Sequence, residues 1–363
     1  MTHVLAGDIG GTRARFAVFD VSKAPRLVHQ EVLPSASFKT FDAVLKAFSK
    51  SAAREVTGGL RISAATFGVA GPVVAQRVKT TNLPWTIDAA SVSRAFAIPS
   101  VTLLNDLVAA GLGAMASPPS KLAIVHGGRP KAAGGNVAVI AAGTGLGEAS
   151  FIWDGAEHIA CATEGSHVDF APRNEVEDAL LASLRKELRG RVSYERVASG
   201  STIARVYDFF VRERGVKETK LAGAFLASAE DRNAAVVELA ESGQSEAAMR
   251  AVDLWASVYG AEAGNLALKC LSTAGVYVCG GVSARLALIL AQGLPGRKKK
   301  GPSPFVEAFL DKGRMRPLVE AIPVAVCLEP HAGLFGAVTH AASTAAVAPA
   351  KRPPAPRRGQ ARR

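Results

Sequence analysis

The sequence predicts an α/β protein built from two similar halves. Apolar strand-like runs alternate with helical stretches along the chain, which is typical of α/β folds. Two glycine-rich turns each follow an apolar strand, carry a threonine and lead back into a strand: a first glycine turn at Gly10–Thr12 and a second at Gly143–Gly147. The 363 residues are enough for two domains with separate cores. We therefore expect a duplicated domain that grips one phosphate chain from both sides.

The elements alternate in a regular order. In the first part the pattern predicts a strand hairpin over 3–20, a strand near 27–33, a helix near 40–53, and strands at 62–69 and 101–104. An Ala-rich helix follows, and strands at 137–142 and 149–153 flank the second glycine turn. Beyond about residue 175 the spacing becomes helical, with helices over 175–188, 201–212, 221–226 and 247–270 and strands at 275–279 and 323–328.

Composition excludes several classes of protein. The chain is 48% hydrophobic and 20% charged, as globular proteins are, and no run approaches the roughly 20 apolar residues of a membrane span. Asp8 and Arg13 interrupt the N-terminus, so we expect no secretory signal. The cysteines form no C-x-x-C pair, which argues against zinc and disulfides and favours the cytoplasm; they are Cys161, Cys270, Cys279 and Cys327.

The net charge of +12 raises the question of nucleic acid as a partner. Six Lys or Arg residues and no acid lie beyond position 340, and four more form the run 297–300, so about +2 remains for everything else. No aromatic side chain is interleaved with these basic runs, as base stacking requires. We therefore expect no nucleic-acid partner, and a disordered Ala/Pro/Arg tail over 343–363.

The first glycine turn combines the groups that a polyphosphate–magnesium ligand requires. Asp8 ends an apolar strand, Gly10 and Gly11 let the backbone approach a ligand, and Thr12 adds a hydroxyl. Taken alone, the segment also fits a glycine-rich hairpin with no ligand. Neither glycine turn is a P-loop, because G-x-x-x-x-G-K-[ST] is absent from the sequence.

Asn105 and Asp106 lie where a strand gives way to a helix, the place where α/β folds carry reactive groups. One interpretation is that Asp106 caps the helix. The other is catalytic: Asn105 can hold a polyol, and the Asp106 carboxylate can accept the proton of a sugar hydroxyl that attacks phosphorus.

A second polar group lies at Glu164–His167, which we call the acid–histidine turn. Its glutamate and histidine are three residues apart around two small residues, so both side chains can point at one small ligand. The alternative is a loop with a hydrogen-bonded histidine. By its local pattern alone, Glu195 is a surface acid.

Taken together, these motifs resemble the bacterial glucokinases, members of the superfamily of sugar kinases, actin and heat-shock ATPases. The resemblance follows sequence order from about residue 3 to residue 342, everything but the tail. Its motifs are Gly7–Thr12 with Arg15, Thr81–Trp85, Leu104–Asp106, Gly143–Gly147, Glu164–Pro172, Tyr194–Gly200, Val278–Gly281, Asp311–Arg314 and Ala332–Gly336.

The resemblance implies a role for each matching residue. Asp106 matches the catalytic base, and the sugar ligands match Asn105, Asp106, Glu164, His167 and Glu195. The nucleotide and its phosphates match Gly7, Asp8, Ile9, Gly10, Gly11, Thr12, Gly143, Thr144, Gly145, Gly280 and Gly281. Asp8 matches the residue that steadies Mg²⁺ through water.

It also implies a two-domain actin-like hexokinase fold, made of duplicated ribonuclease-H-like domains with a ligand cleft between them. We expect a small domain at 1–106 plus 329–342 and a large domain at 107–328. The implied activity is phosphorylation of D-glucose to glucose 6-phosphate by ATP with Mg²⁺, a cytoplasmic entry step of glycolysis. A homodimer is compatible with this prediction, and a membrane partner is not expected.

Two positions depart from the family pattern inside the matched motifs. Arg13 stands where asparagine is common, and Glu148 stands where a small apolar residue is usual. Arg13 and the basic excess leave open polyphosphate as donor, and mannose, fructose or an N-acetylhexosamine remain alternative sugars. A catalytically silent sugar-sensing regulator is the alternative outside enzymes, although the intact Asp106 and the absence of a helix-turn-helix extension before the first strand argue against it.

Overall fold

The computed structural model describes residues 2–56, 60–80, 83–128, 134–297 and 301–347. These residues form two compact units. The first unit holds the described residues up to Leu104 and from Ala337 onward, and the second unit is Asn105–Gly336. The predicted domain limits lie within a few residues of these at the first boundary and differ by eight at the second, where 329–336 belong to the second unit.

The first unit contains a five-stranded sheet in the order β3-β2-β1-β4-β7. Its elements are β1 (His3–Ile9), β2 (Arg13–Asp20), β3 (Arg26–Pro34), α1 (Phe41–Glu55), β4 (Ile62–Val69), β5 (Arg77–Lys79), β6 (Thr86–Asp88), α2 (Ala89–Phe96) and β7 (Ser100–Asn105), whose last residue opens the second unit. Strand β1 pairs antiparallel with β2 and parallel with β4, while β5 and β6 form a separate hairpin. The first glycine turn therefore joins the central strand β1 to its antiparallel neighbour β2.

Helix α1 forms because its sequence has both a cap and an apolar face. The Thr40 side chain accepts a hydrogen bond from the amide of Ala43, and the buried residues recur at helical spacing. This face packs on the sheet, where Phe16 stacks on Phe48 with ring centroids 5.2 Å apart. The aromatic core supports the strands on either side of the first glycine turn.

The second unit contains a six-stranded sheet in the order β11-β10-β9-β12-β13-β8. Its strands are β8 (Leu122–His126), β9 (Val137–Ala142), β10 (Leu146–Trp153), β11 (His158–Thr163), β12 (Gly275–Cys279) and β13 (Val324–Cys327). Its helices are α3 (Asp106–Met115), α4 (Glu175–Leu188), α5 (Glu195–Ala198), α6 (Ile203–Arg212), α7 (Lys220–Ser228), α8 (Arg232–Glu241), α9 (Glu246–Cys270), α10 (Gly281–Arg285), α11 (Ala287–Gln292), α12 (Pro304–Leu310) and α13 (Arg316–Glu320).

Helix α9 is the centre of this unit. It is 25 residues long, and most of its side chains are buried, including Trp255 and Tyr259. Its small residues let neighbours approach: a Cβ at Gly260 would lie 2.1 Å from the carbonyl oxygen of Phe305. The phenol of Tyr259 accepts a hydrogen bond from the amide of Ala142, directly before the second glycine turn. The Tyr259 side chain thus connects the core of this unit to the strand end that precedes the second glycine turn.

The last helix corrects the predicted start of the tail. Helix α14 spans Ala332–Val347, so 343–347 are helical rather than disordered. The rest of the predicted tail, the lysines of the basic run and Thr81–Asn82 of one family motif lie outside the described residues. In the part of the chain that the structure describes, no helix is both long enough and apolar enough to cross a membrane.

Candidate functional site

Asn105 and Asp106 have different roles at the start of α3. Asn105 is the N-cap, and its Oδ1 accepts hydrogen bonds from the amides of Leu107 at 3.0 Å and Val108 at 3.4 Å. Asp106 is exposed in the first helical turn, where Oδ1 lies 2.9 Å from the Leu107 amide nitrogen. The interpretation of Asp106 as the N-cap is therefore wrong. Asp106 lies in the first turn of α3, at the positive end of the helix dipole.

The acid–histidine turn brings its two ionisable side chains together, as predicted. Gly165–His167 form a short 3-10 turn after β11, closed by a hydrogen bond from the His167 amide to the Glu164 carbonyl. His167 Nε2 lies 3.7 Å from a carboxylate oxygen of Glu164, and its Nδ1 lies 4.0 Å from one of Glu195. The histidine thus has a carboxylate on each side, and the three side chains form one polar group.

Glu195 is not a surface acid. Its side chain is only 24% exposed, and its Oε2 accepts a hydrogen bond from the Leu146 amide at 3.2 Å. A Cβ at Gly145 would lie 2.6 Å from the same oxygen. One carboxylate therefore contacts both the second glycine turn and the histidine. The local pattern around residue 195 carries no signal for this, because Glu195 gains these neighbours only through folding.

The first glycine turn leaves backbone donors unused. The turn is held from behind by Ser35, whose hydroxyl donates to the Gly10 carbonyl at 2.9 Å and whose amide donates to the Thr12 carbonyl. No described residue accepts a hydrogen bond from the amides of Gly11 or Thr12. Two adjacent amides with no acceptor among the described residues are available to bind an anion.

Asp8 lies beside this turn and is paired with a cation. Its carboxylate is 3.6 Å from the guanidinium of Arg15, which occupies the facing register position on β2. Among the described residues, no three His, Cys, Asp or Glu side chains converge as a metal cage would require. The Asp8 carboxylate, 34% exposed, fits Mg²⁺ that is held mainly by water and ligand phosphates.

The second glycine turn is similar in its donors. Its Gly143 amide donates to the Gly145 carbonyl, and the amide of Gly200 donates to the Gly143 carbonyl. In the described part of the chain, the amides of Thr144 and Gly145 have no acceptor. The internal similarity seen in the sequence therefore extends to the pattern of available N–H groups.

Behind this turn, Gly280 adopts a backbone conformation that only glycine adopts readily. Its φ of 93° and ψ of 151° are disfavoured for other residues, and a Cβ would lie 2.5 Å from the Ala142 carbonyl oxygen. Gly281 begins α10, and a Cβ there would meet no atom within 4 Å. The two predicted ligand glycines thus differ. The backbone conformation at position 280 requires glycine, whereas position 281 has open space for a side chain.

A cavity of about 240 Å³ adjoins the second glycine turn. Its lining includes Thr144, Gly200, Asn233, Val282 and Arg285. Asn233 follows the N-cap of α8, in a stretch that contains none of the motifs found in the sequence. Its Oδ1 is already engaged by the Ala204 amide at 3.0 Å. Asp231, the N-cap of α8, is a capping signal that could have located this helix, though not the cavity.

Comparison with known proteins agrees with this arrangement. The glucokinase family model matches residues 5–344. A glucokinase of Synechocystis sp. is 34% identical over 360 residues, covering 94% of this chain and 98% of the relative. The crystal structure of a glucokinase from an Antarctic psychrotroph superposes with a TM-score of 0.78 at 26% identity, covering 94% of this chain and 99% of that one.

A more distant structure was solved with ligands. The ROK family glucokinase of Streptomyces griseus, in complex with glucose and AMPPNP, superposes with a TM-score of 0.58 at 22% identity. The match covers 94% of this chain and 99% of that chain, and it shows a shared fold. The family match over nearly the whole sequence, together with the paired glycine turns and the intact Asp106, leads to one conclusion. This chain belongs to the glucokinase family.

Proposed function

We infer that this chain phosphorylates glucose at the 6-hydroxyl with ATP as donor. The observation that carries this assignment is Glu195, because a single carboxylate contacts both the His167 side chain and the second glycine turn. Carboxylates suit a polyol, since each accepts two hydroxyl hydrogen bonds. The complex of the Streptomyces griseus ROK glucokinase with glucose and AMPPNP supports the same pair of ligands for this chain.

In this proposal Asp106 is the general base. As the 6-hydroxyl oxygen forms its bond to the γ-phosphorus, the bond from that phosphorus to the bridging oxygen breaks and ADP leaves. The hydroxyl proton passes to the Asp106 carboxylate. Asn105, Glu164, His167 and Glu195 hold the other hydroxyls, so the 6-hydroxyl is the one left beside the base.

The glycine turns are assigned to the phosphates. The amides of Gly11 and Thr12 in the first unit, and of Thr144 and Gly145 in the second, are available to donate to phosphate oxygens. Asp8 would hold Mg²⁺ through water, and the ion would neutralise charge on the transferred phosphate. The cavity beside Thr144 and Val282 is assigned to the nucleoside.

The test is Asp106→Asn, which keeps the shape of the side chain and removes the base. We expect turnover to fall by roughly 10²-fold or more, because proton acceptance contributes about that factor, while glucose binding measured by calorimetry is retained. Asp42→Asn is the matched control, since Asp42 is also an exposed first-turn aspartate, on α1. Near-normal turnover in Asp106→Asn would refute the base assignment.

A second candidate concerns the donor. Arg13 is exposed next to the first glycine turn and adds a cation where phosphates are expected. Assays of glucose, mannose, fructose and N-acetylhexosamines against ATP and polyphosphate separate these alternatives. If polyphosphate is the donor, Arg13→Asn should weaken the binding of polyphosphate more than the binding of ATP. A longer anion carries more negative charges that attract the arginine. No product with any sugar would favour the regulator interpretation.

A further inference from the structure

Glu148 is a buried acid for which the proposed chemistry has no use. It lies on β10 directly after the second glycine turn and is 2% exposed. No hydrogen-bond donor among the described residues reaches either of its carboxyl oxygens, and only the protonated acid can hydrogen-bond to the neighbouring Glu262 carboxylate. A buried carboxylate without partners is costly, so the group is better accommodated as the neutral acid.

The surroundings of Glu148 explain why a negative charge is disfavoured there. Glu262 on α9 is fully buried and accepts a hydrogen bond from Lys269, whose Nζ lies 3.1 Å from its Oε1. Burial, followed by the charge of Glu262, raises the pKa of Glu148 to about 8, and Lys269 opposes the shift. The other titratable groups that interact with Glu148 or Glu262 are Cys270 and Tyr259 of α9, Tyr194 before α5, and Lys312 after α12.

On its other side, Glu148 supports the acid–histidine turn. A Cβ at Gly165 would lie 2.3 Å from Glu148 Oε2, so the carboxyl group packs directly against the glycine backbone. Strand register brings the two together, because Glu148 pairs with Thr163, two residues before Gly165. Ser166 of the same turn is 1% exposed, so the turn cannot take in water without moving. Glu164 and His167 flank this contact.

We propose that Glu148 is a positioning residue that, as a neutral carboxylic acid, holds the acid–histidine turn in its sugar-binding geometry and releases it on losing its proton. The proposal rests on the proposed function, because it takes Glu164 and His167 as sugar ligands. Ionised Glu148 would place a second negative charge near that of Glu262, and Lys269 would offset only part of the repulsion between them. Relief comes from hydrating Glu148, and the turn that covers it is what must open.

The first experiment measures KM for glucose and kcat between pH 7 and 9. If glucose binds only the protonated form, KM rises about tenfold at pH 9, because only about a tenth of the enzyme is then competent. Glu148→Gln, neutral at every pH, is expected to keep the low KM throughout, while KM for ATP follows the same profile in both proteins. An unchanged glucose profile in Glu148→Gln would overturn the proposal.

The matched control is Asp253→Asn. Asp253 lies on α9 and, like Glu148, has a buried oxygen without a partner among the described residues and a pKa raised by burial. It does not contact the acid–histidine turn in any of the described interactions, so its variant should keep the wild-type rise in KM. Loss of the rise in both variants would assign the effect to general stability and contradict the proposal.

A second measurement does not depend on activity. The folded protein keeps the Glu148 proton, whereas the unfolded chain releases it near the ordinary pKa of 4.5. The stabilising contribution is therefore complete below about pH 4.5 and is lost as the pH rises to about 8. The Tm of wild type should fall across this range more steeply than that of Glu148→Gln. Parallel Tm curves would overturn the neutral-acid assignment even if the enzyme phosphorylates glucose normally; absence of any phosphorylation with the expected Tm difference would refute the proposed function instead.

Discussion

The two glycine turns have the same local design and different anchors. Each follows a buried strand and leaves two successive amides without an acceptor among the described residues, at Gly11 and Thr12 and at Thr144 and Gly145. The first turn is held by a small polar residue, Ser35, which directly follows β3 of the same sheet. The second is held by groups from distant parts of the chain, with Glu195 on one side and Gly280 behind it.

This difference separates two tasks. In the described interactions, Ser35, which holds the first turn, contacts none of the residues that we assign to the sugar. Changes at the first turn should therefore affect nucleotide binding alone. The second turn shares Glu195 with the acid–histidine turn, so changes there should reach sugar binding as well. Three substitutions test whether the two turns differ as their anchors imply.

The largest effect is expected from Gly280→Ala. The residue would keep a backbone conformation that is nearly restricted to glycine, and its Cβ would lie 2.5 Å from the Ala142 carbonyl. We expect a loss of about 3 kcal/mol in the free energy of unfolding, measured in urea. Gly10→Ala is the counterpart in the first turn. Its Cβ would meet the Arg13 carbonyl at 3.3 Å, and φ at Gly10 is not in the left-handed region, so a loss of about 1 kcal/mol or less is expected. Equal losses would remove the structural distinction between the turns.

The next effect is expected from Gly145→Ala. The new methyl group would displace the Glu195 carboxylate, which lies 2.6 Å from the Cβ position. Loss of a hydrogen bond to a charged group costs about 2 kcal/mol, so KM for glucose should rise by roughly tenfold or more. Gly223→Ala on α7 has open space around its Cβ and serves as the control for handling and folding. A rise in KM for ATP with no change for glucose would contradict the shared role of Glu195.

The smallest effect is expected from Ser35→Ala. This variant removes the hydroxyl that donates to the Gly10 carbonyl but retains the amide that donates to Thr12. A neutral buried hydrogen bond contributes about 1 kcal/mol, so KM for ATP should rise by about fivefold. KM for glucose should stay within experimental error. A matching rise for glucose would show that the first turn also supports the sugar residues.

The sequence anticipated the elements whose apolar pattern is strong. The hairpin of β1 and β2, strand β4 over 62–69, and helix α4 over 175–188 lie where their periodicity predicted them. Strand β11 was not predicted because nearly all of its side chains are exposed, so no alternation marks it. Helix α8 was missed because its cap and short apolar run lie in a stretch that matched no motif.

The site shows the same division. Glycines, a strand-end acid and Asn105-Asp106 could be recognised as ligand-binding chemistry because their meaning is local: a tight turn needs glycine, and a helix start favours a carboxylate. Asn105 is the N-cap of α3 because its backbone is extended and not helical. The sequence does not show at which of the two residues the helical backbone begins. The role of Glu195 depends on contacts across 49 residues of chain, with Leu146.

By itself, then, the sequence determined the α/β class and the family, because these depend on local periodicity and on motifs in order, and it predicts the residues that would carry the chemistry. Only the tertiary structure decided that Glu195 joins the second glycine turn to His167 and that Glu148 lies beneath Gly165. The physical reason is that burial and charge interactions depend on distance in space. An acid that looks like any other in the sequence becomes a ligand or a neutral support only when folding brings its neighbours to it.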